Sequence, residues 1–210
     1  MAPQADNRPD APATPLVEVV PLGRVSQTAV AVAAANLQAI FNLNASVSAP
    51  WPEPTYALVP TRGQYDAGPI LRALAQDQAG PPLRLGLTGR DLCLPFLSYV
   101  FGEAQVEGRA AVVSMYRLQD AAQGGKVSRA LMLERLAKIA LHETAHVLGL
   151  VHCQAPGCLM NFASSLASLD RLRLILCPDC QTILARRRQR LRDQISQAPQ
   201  SSRGLPGPKG

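Results

Sequence analysis

Residues 142–152 read HETAHVLGLVH, and this stretch contains all three histidines of the 210-residue chain. The pattern is H-E-x-x-H-x-x-G-x-x-H. On a helix, His142 and His146 are one turn apart, so both imidazoles project from one face and can bind the same ion. Gly149 can take the positive φ that ends a helix, which lets the chain turn and bring His152 back as a third ligand. The pattern therefore predicts a zinc site with an open fourth position.

Glu143 lies about 100° around the helix from His142, which places its carboxylate beside the ion without making it a ligand. A base acting on a zinc-bound water must stand there, and the ion lowers the pKa of that water to about 7. The alternative is a helix that carries polar residues by chance, but the glycine and the third histidine make this pattern far more specific than H-E-x-x-H alone. We assign His142, His146 and His152 as ligands of a catalytic zinc and Glu143 as the catalytic base.

Four of the five cysteines follow directly: Cys153, Cys158, Cys177 and Cys180. The spacing is C-x4-C, then 18 residues, then C-x2-C, which is close to that of a tetrahedral zinc site with four thiolate ligands. Two disulfides would need an oxidising compartment, which no secretory signal supports. A redox-active Cys177–Cys180 pair would leave the other two cysteines without a role. We favour a structural zinc, which accounts for all four. Cys93 is interpreted as a buried small hydrophobic residue.

The segment from residue 142 to residue 180 resembles the archaemetzincins, a branch of the metzincin zinc metalloproteases. It carries the long histidine motif followed at once by a cysteine, then Cys158-Leu159-Met160, and then a distal Cys177-Pro178-Asp179-Cys180. The spacer of 16 residues between Met160 and Cys177 is slightly shorter than in the family pattern. Weaker similarity covers most of residues 16–195.

The resemblance implies a metzincin-like α/β (α+β) fold, in which a twisted mixed sheet, a backing helix and the active-site helix form an upper part. A small, largely helical C-terminal part follows Gly149 and is stabilised by the four-cysteine zinc site. Met160 matches the Met-turn residue below the catalytic zinc, a role that differs little from that of an ordinary core methionine. A substrate peptide is expected in the cleft between the two parts, along an edge strand of the sheet.

Composition divides the chain into four segments. Residues 1–15 and 197–210 are rich in Pro, or in Ser, Gly and Pro, and are predicted to be disordered tails. Residues 16–149 form the predicted upper subdomain and residues 150–196 the lower one, with the Met-turn and the structural zinc. Predicted helices and strands alternate along the first two thirds of the chain, which predicts a mixed sheet with helices. Helices are predicted at 26–41, 66–75, 128–149 and 178–194, and strands at 17–20, 56–59, 83–87, 99–101 and 110–115.

The net charge of +6 is confined to the C-terminal end of the chain. Residues 1–180 carry 14 Lys and Arg against 14 Asp and Glu, whereas residues 181–210 carry seven basic residues and one acid. The centre of this charge is the arginine run at positions 186, 187, 188, 190 and 192. We interpret the run as a solvated helix end whose cations complement the helix dipole. An acidic partner is the alternative, and nucleic acid is not expected.

The expected function is a zinc metallopeptidase with two Zn²⁺ per chain that hydrolyses a peptide or protein substrate. No stretch approaches the roughly 18–20 apolar residues of a transmembrane helix, and the N-terminus lacks the pattern of a secretory signal. We therefore expect a cytoplasmic protein without membrane contact, with a monomer favoured. The alternative function is a zinc-stabilised binding protein with weak or no peptidase activity that contacts an acidic partner through its Arg-rich C-terminus. A redox protein that uses Cys177 and Cys180 is the third hypothesis.

Overall fold

The computed structural model describes residues 14–120 and 127–197. The predicted tails therefore lie outside the described residues, apart from positions 14, 15 and 197. The helices are α1 (Gln27–Phe41), α2 (Ala67–Gln76), α3 (Arg129–Val147), α4 (Leu166–Arg171) and α5 (Pro178–Gln197). The strands are β1 (Val17–Leu22), β2 (Ala45–Val47), β3 (Leu58–Val59), β4 (Gln64–Asp66), β5 (Leu83–Thr88), β6 (Leu92–Leu94), β7 (Leu97–Val100), β8 (Gly102–Ala104) and β9 (Ala110–Ser114).

The larger sheet is mixed, as the sequence predicts, and has the strand order β2-β1-β5-β9-β8. β1 is parallel to β2 and β5, β5 is parallel to β9, and β8 runs antiparallel to β9. β8 stands at the end of this order, so its outer edge has no strand partner among the described residues. The sequence predicted a strand at 99–101 followed by a connection. The structure has β7 at Leu97–Val100, and the expected connection begins with a further strand, β8, at Gly102.

A second, smaller sheet with the order β3-β4-β6-β7 was not expected from the sequence. Its strands are two to four residues long, which is too short for an alternating pattern to be visible. The predicted strand at 56–59 is correct only for β3, because residues 55–57 form a short 3₁₀ turn. The helix α4 was also not predicted.

Alternation along the strands divides the core between the two faces of the larger sheet. In β1, Val17 and Val19 face the larger hydrophobic cluster, which includes α1 and α3, whereas Val20 and Leu22 face the cluster built around α2. The larger cluster continues past residue 149 through Leu159 and the C-terminal helices. The predicted boundaries of the subdomains stay predictions.

The helix α3 carries the candidate site and begins as predicted at Ser128, whose side chain accepts the backbone N–H of Leu131 at 3.1 Å. One face of this helix buries two cations, Arg135 and Lys138, each 1% exposed. Arg135 binds both carboxylate oxygens of Asp170 at 2.7 Å, and the Lys138 ammonium donates to the Asp170 carbonyl at 3.2 Å. A polar stripe on α3 thus joins this helix to α4.

The arginine run lies on α5, and three of its members contact the rest of the domain. Arg188 donates to the Phe41 carbonyl at 2.9 Å, and Arg192 donates to the Asn42 carbonyl at 3.0 Å. Both carbonyls lie at the C-terminal end of α1, where the last carbonyl groups of a helix lack intrahelical partners and nearby cations are favourable. Arg187 pairs with Glu107. The arginine run was expected to complement the dipole of its own helix. Two of its cations instead bind carbonyl groups at the C-terminal end of α1.

Within the described ranges, no helix is long and apolar enough to cross a membrane.

We expect Asp170→Ala to lower the free energy of unfolding by about 2 kcal/mol, because it leaves the buried Arg135 guanidinium with only carbonyl acceptors. The Asp170 side chain is 28% exposed, so water can replace part of the lost interaction. Urea unfolding in zinc-containing buffer measures the effect. Asp193→Ala, which removes one exposed bond to Gln189, is the control and should change stability by less than about 0.5 kcal/mol. Equal stability of the two variants would contradict the structural role of the pair.

Candidate metal centres and cleft

The three histidines converge at the C-terminal end of α3. His142 and His146 lie on the last turns of the helix, and Gly149, with φ of +85°, turns the chain so that His152 faces them. The ring centroids are 4.6 to 5.3 Å apart. One ligand nitrogen from each ring lies within 4.8 Å of the others. The structure therefore brings together all three histidines that the sequence pattern assigns to one ion.

Two backbone carbonyls orient the helical imidazoles. Nδ1 of His142 lies 2.9 Å from the Leu159 carbonyl oxygen, and Nδ1 of His146 lies 2.7 Å from the Leu150 carbonyl oxygen. A carbonyl can only accept a hydrogen bond, so Nδ1 carries the proton in each ring and Nε2 presents a lone pair. Burial lowers the pKa of His142 to about 4, which favours this neutral form.

The geometry of these rings fits a tetrahedral zinc ion. The two unprotonated Nε2 atoms are 3.0 Å apart, an arrangement that is repulsive unless a cation binds between them. Two imidazole nitrogens at about 2.0–2.1 Å from a tetrahedral zinc are separated by about 3.3 Å, which is close to the observed distance. Nitrogen donors of neutral histidine are also a ligand type that zinc prefers.

Glu143 lies beside the histidines and is 7% exposed. Burial, with a smaller contribution from the carboxylate of Glu103, raises the pKa of Glu143 to about 8. The side chain rests against the backbone of Gly102, where an added Cβ would be 2.6 Å from its Cγ and 3.0 Å from its Oε1. Only glycine therefore allows β8 to approach this carboxylate so closely.

The four cysteines that were assigned to the second site also converge. Their sulfur atoms all lie within 4.8 Å of one another, and Cys153 Sγ is 3.7 Å from Cys177 Sγ. Thiolates at about 2.3 Å from a tetrahedral zinc are separated by about 3.8 Å, so this distance fits a four-thiolate zinc site. None of the five cysteines forms a disulfide, and Cys93 is buried elsewhere in β6. A redox pair formed by residues 177 and 180 alone would not explain why the other two sulfur atoms join them.

Backbone hydrogen bonds connect the two clusters. Cys153 follows His152 directly, and its N–H donates to the Met160 carbonyl at 2.8 Å. Leu159, whose carbonyl holds His142, donates its own N–H to the Ile175 carbonyl at 2.8 Å. Met160 is fully buried in the larger hydrophobic cluster. The segment 152–160 thus carries ligands of both candidate sites and the predicted Met-turn residue.

The histidine cluster opens into a cleft of about 530 Å³ between the sheet and the C-terminal part. β7 and β8 form one wall, α3 forms the floor, and residues 151–152 and 162–164 form the opposite wall. The ring of Phe162 lies 5.1 Å from that of His152 and is 68% exposed. All three residues of β8, Gly102, Glu103 and Ala104, line this cleft.

Sequence reasoning missed several parts of this site. The orienting groups of Leu150 and Leu159 are backbone carbonyls, for which no side-chain pattern exists. Gly102 could have been found, because a glycine between apolar residues of a strand often marks a close approach of another group.

Comparisons with known proteins identify relatives of this chain. The model of peptidase family M54 matches residues 80–186. An archaemetzincin of Halobacterium salinarum is 33% identical over 168 residues, which is 79% of this chain and 96% of the relative. The crystal structure of the archaemetzincin from Methanopyrus kandleri has a TM-score of 0.71 at 33% identity and covers 82% of this chain and 94% of its own. A zinc-dependent peptidase from Methanocorpusculum labreanum has a TM-score of 0.71 at 27% identity, with coverage of 80% and 99%.

We expect Gly102→Ala to lower kcat for peptide hydrolysis about 100-fold while the bound zinc is retained. The added Cβ would push the Glu143 carboxylate by about 1 Å, and a misplacement of that size costs about this much. Steady-state kinetics and zinc analysis measure the two effects. Gly89→Ala is the matched control, since its Cβ would make only an ordinary contact, at 3.6 Å from the Arg24 carbonyl oxygen. An unchanged kcat in Gly102→Ala would show that this approach does not position the carboxylate.

Proposed function

This chain belongs to the archaemetzincins, peptidase family M54, and from this premise we propose that it hydrolyses peptide bonds at the centre formed by His142, His146 and His152, with Glu143 as the general base. The family establishes a zinc metallopeptidase. The convergence of three imidazoles, two of them fixed by backbone carbonyls, beside one buried carboxylate is the observation that carries the assignment of these residues.

The histidines and Glu143 are proposed to have different roles in the reaction. The imidazoles would hold the zinc, and when bound this ion supplies Lewis-acid chemistry that acidifies water and polarises a carbonyl group. A zinc cation beside Glu143 would oppose the effect of burial on the pKa of its carboxyl group and favour the ionised form. The carboxylate would then accept the proton of the attacking water and pass it to the leaving amine. Its burial keeps bulk water away from this proton transfer. The free edge of β8 offers backbone N–H and C=O groups with which an extended peptide can pair.

The cysteine cluster is proposed to hold a second, structural zinc, so that the chain binds two ions. The fit of the sulfur separation to a four-thiolate site supports this assignment. A segment of this size has little hydrophobic core, and a metal is a common substitute. Because residue 153 follows residue 152, this second ion would also hold the third histidine ligand in place. Met160 is proposed to support the catalytic centre by packing, as in a Met-turn.

Peptides or proteins are the expected substrates, and the cytoplasmic location and the monomeric state stay predictions. The alternative of a binding protein that uses its arginine run gains no support from the structure. Arg187, Arg188 and Arg192 already contact groups of the domain itself, so they do not form a free patch for an acidic partner.

We expect Glu143→Ala to reduce kcat by about 10²- to 10⁴-fold, the usual contribution of a general base, without loss of zinc. Glu143→Gln should behave in the same way, because the amide keeps the shape of the side chain but cannot accept the proton. Hydrolysis of a quenched fluorescent peptide library measures turnover, and elemental analysis measures the metal. Activity of either variant equal to that of the wild type would contradict the role of Glu143.

We expect two zinc ions per chain in the wild type and one in either His146→Ala or Cys177→Ala. The cysteine variant should also unfold at lower urea concentration than the histidine variant, because it loses the ion that substitutes for a core. Cys93→Ala is the matched control and should keep both ions, since this thiol lies outside the cluster. Zinc analysis after gel filtration gives the counts, and one ion in the wild type would overturn the two-site proposal.

A further inference from the structure

We propose that the Tyr99 hydroxyl and the Ser164 carbonyl form a strap across one end of the cleft, which limits how far a bound peptide extends on that side of the scissile bond. This inference rests on the proposed function, because it assumes that the peptide occupies this cleft. It assigns a specificity-determining role to Tyr99.

The strap joins the two opposite walls of the cleft. Tyr99 lies on β7, and Ser164 lies four residues after Met160 in the C-terminal part. The tyrosine hydroxyl donates a hydrogen bond to the Ser164 carbonyl oxygen at 3.2 Å, although the two residues are 65 positions apart in the chain. Both residues line the same cavity as His142 and Glu143. The bond therefore crosses the space through which a peptide would leave the catalytic centre.

Tyr99 is held in place from its own side of the cleft. The Arg117 guanidinium lies over the tyrosine ring, 4.1 Å from its centroid. Arg117 in turn makes two hydrogen bonds to the buried Asp91 carboxylate, at 2.7 and 2.8 Å. The ring of Phe101 meets the tyrosine edge-on at a centroid distance of 5.5 Å. These contacts hold the ring, so the hydroxyl points across the cleft without a large loss of side-chain entropy on forming the strap.

Ser164 is held in place from the other side. The next residue, Ser165, caps α4: its side chain accepts the backbone N–H of Ser168 at 3.2 Å, and the Ser168 hydroxyl lies 3.0 Å from the Ser165 backbone nitrogen. This reciprocal capping box defines where α4 begins and hence where the carbonyl before it points. Each end of the strap is thus supported by contacts that do not involve the substrate.

The position of the strap determines how many residues of a bound peptide fit between the catalytic centre and the strap. Tyr99 precedes Gly102, the residue beside Glu143, by three positions. Each residue of extended chain spans about 3.3 Å, so the backbone positions of Tyr99 and Gly102 are at most about 10 Å apart. An extended peptide that pairs with the edge of β8 has room for about three residues on this side before it meets the strap.

The strap selects by length without excluding longer chains absolutely. It consists of one neutral hydrogen bond at the surface, and breaking such a bond changes an equilibrium by about twofold to tenfold, where tenfold equals about 1.4 kcal/mol. A longer peptide can therefore bind, but its binding must first break this bond. The penalty should appear at a definite length and on one side only.

A nested set of peptides with one cleavage site, extended by one to six residues on either side, tests the proposal. Binding is measured by fluorescence anisotropy in the Glu143→Gln background, and kcat/KM is measured in the active protein. We expect extension beyond about three residues on one side to weaken binding and kcat/KM by up to about tenfold. Tyr99→Phe, which keeps the ring over Arg117 but removes the hydroxyl, should abolish this length dependence.

Tyr116→Phe is the matched control, because Tyr116 is exposed and does not line the cleft. It should keep the length dependence of the wild type. Amide hydrogen exchange of residues 161–164 gives an independent measurement and should be faster in Tyr99→Phe alone. Binding without any length dependence, or a dependence unchanged in Tyr99→Phe, would overturn the strap.

The two proposals can fail separately in these experiments. Length-dependent binding that needs the Tyr99 hydroxyl, without turnover in the active protein, would support the strap and contradict the proposed catalysis. Turnover without length dependence would contradict the strap alone. Failure of every peptide to bind would overturn both.

Discussion

The imidazole of His142 is the group on which the arrangement of this molecule depends. Its Nδ1 binds the Leu159 carbonyl, and its Nε2 faces the ligand nitrogen of His146. The first contact reaches into the C-terminal part, and the second contributes to the catalytic centre. The orientation of a ligand on α3 is therefore set by a backbone group that belongs to a different segment. The centre is complete only when that segment is folded against the helix.

This dependence gives the proposed second metal site a role next to the first. The segment 152–160 carries a histidine ligand, two of the four cysteines and the carbonyl that orients His142. The C-terminal part shares the larger hydrophobic cluster and, up to residue 197, contains the two helices α4 and α5. A closed thiolate site adds local stability at the place where the catalytic centre requires accurate backbone positions. In the proposed arrangement the cysteines would support catalysis through the backbone, without contacting the substrate.

Charged side chains also join separate elements of the fold. The buried cations of the α3 stripe, Arg135 and Lys138, join the active-site helix to α4. The arginines of α5 contact the carbonyl groups that end α1. Part of the basic excess at the C-terminal end of the chain therefore binds groups of the fold itself. Electrostatic contacts thus join α3 to α4 and α5 to the end of α1.

The sequence by itself predicted the candidate ligands, the candidate base and the mixed α/β architecture, and the structure confirms the architecture. Helical periodicity converts the spacing of His142 and His146 into directions in space, and the fold brings His152 to the same place. Cysteine spacing predicted the second cluster, because closely spaced cysteine pairs are typical of zinc sites. Tertiary structure alone decided the orienting carbonyls of Leu150 and Leu159, the second sheet and the contact between Tyr99 and Ser164. These features join residues that are distant in the chain or use backbone atoms that every residue has. A local pattern cannot encode them, since they exist only after the chain has packed.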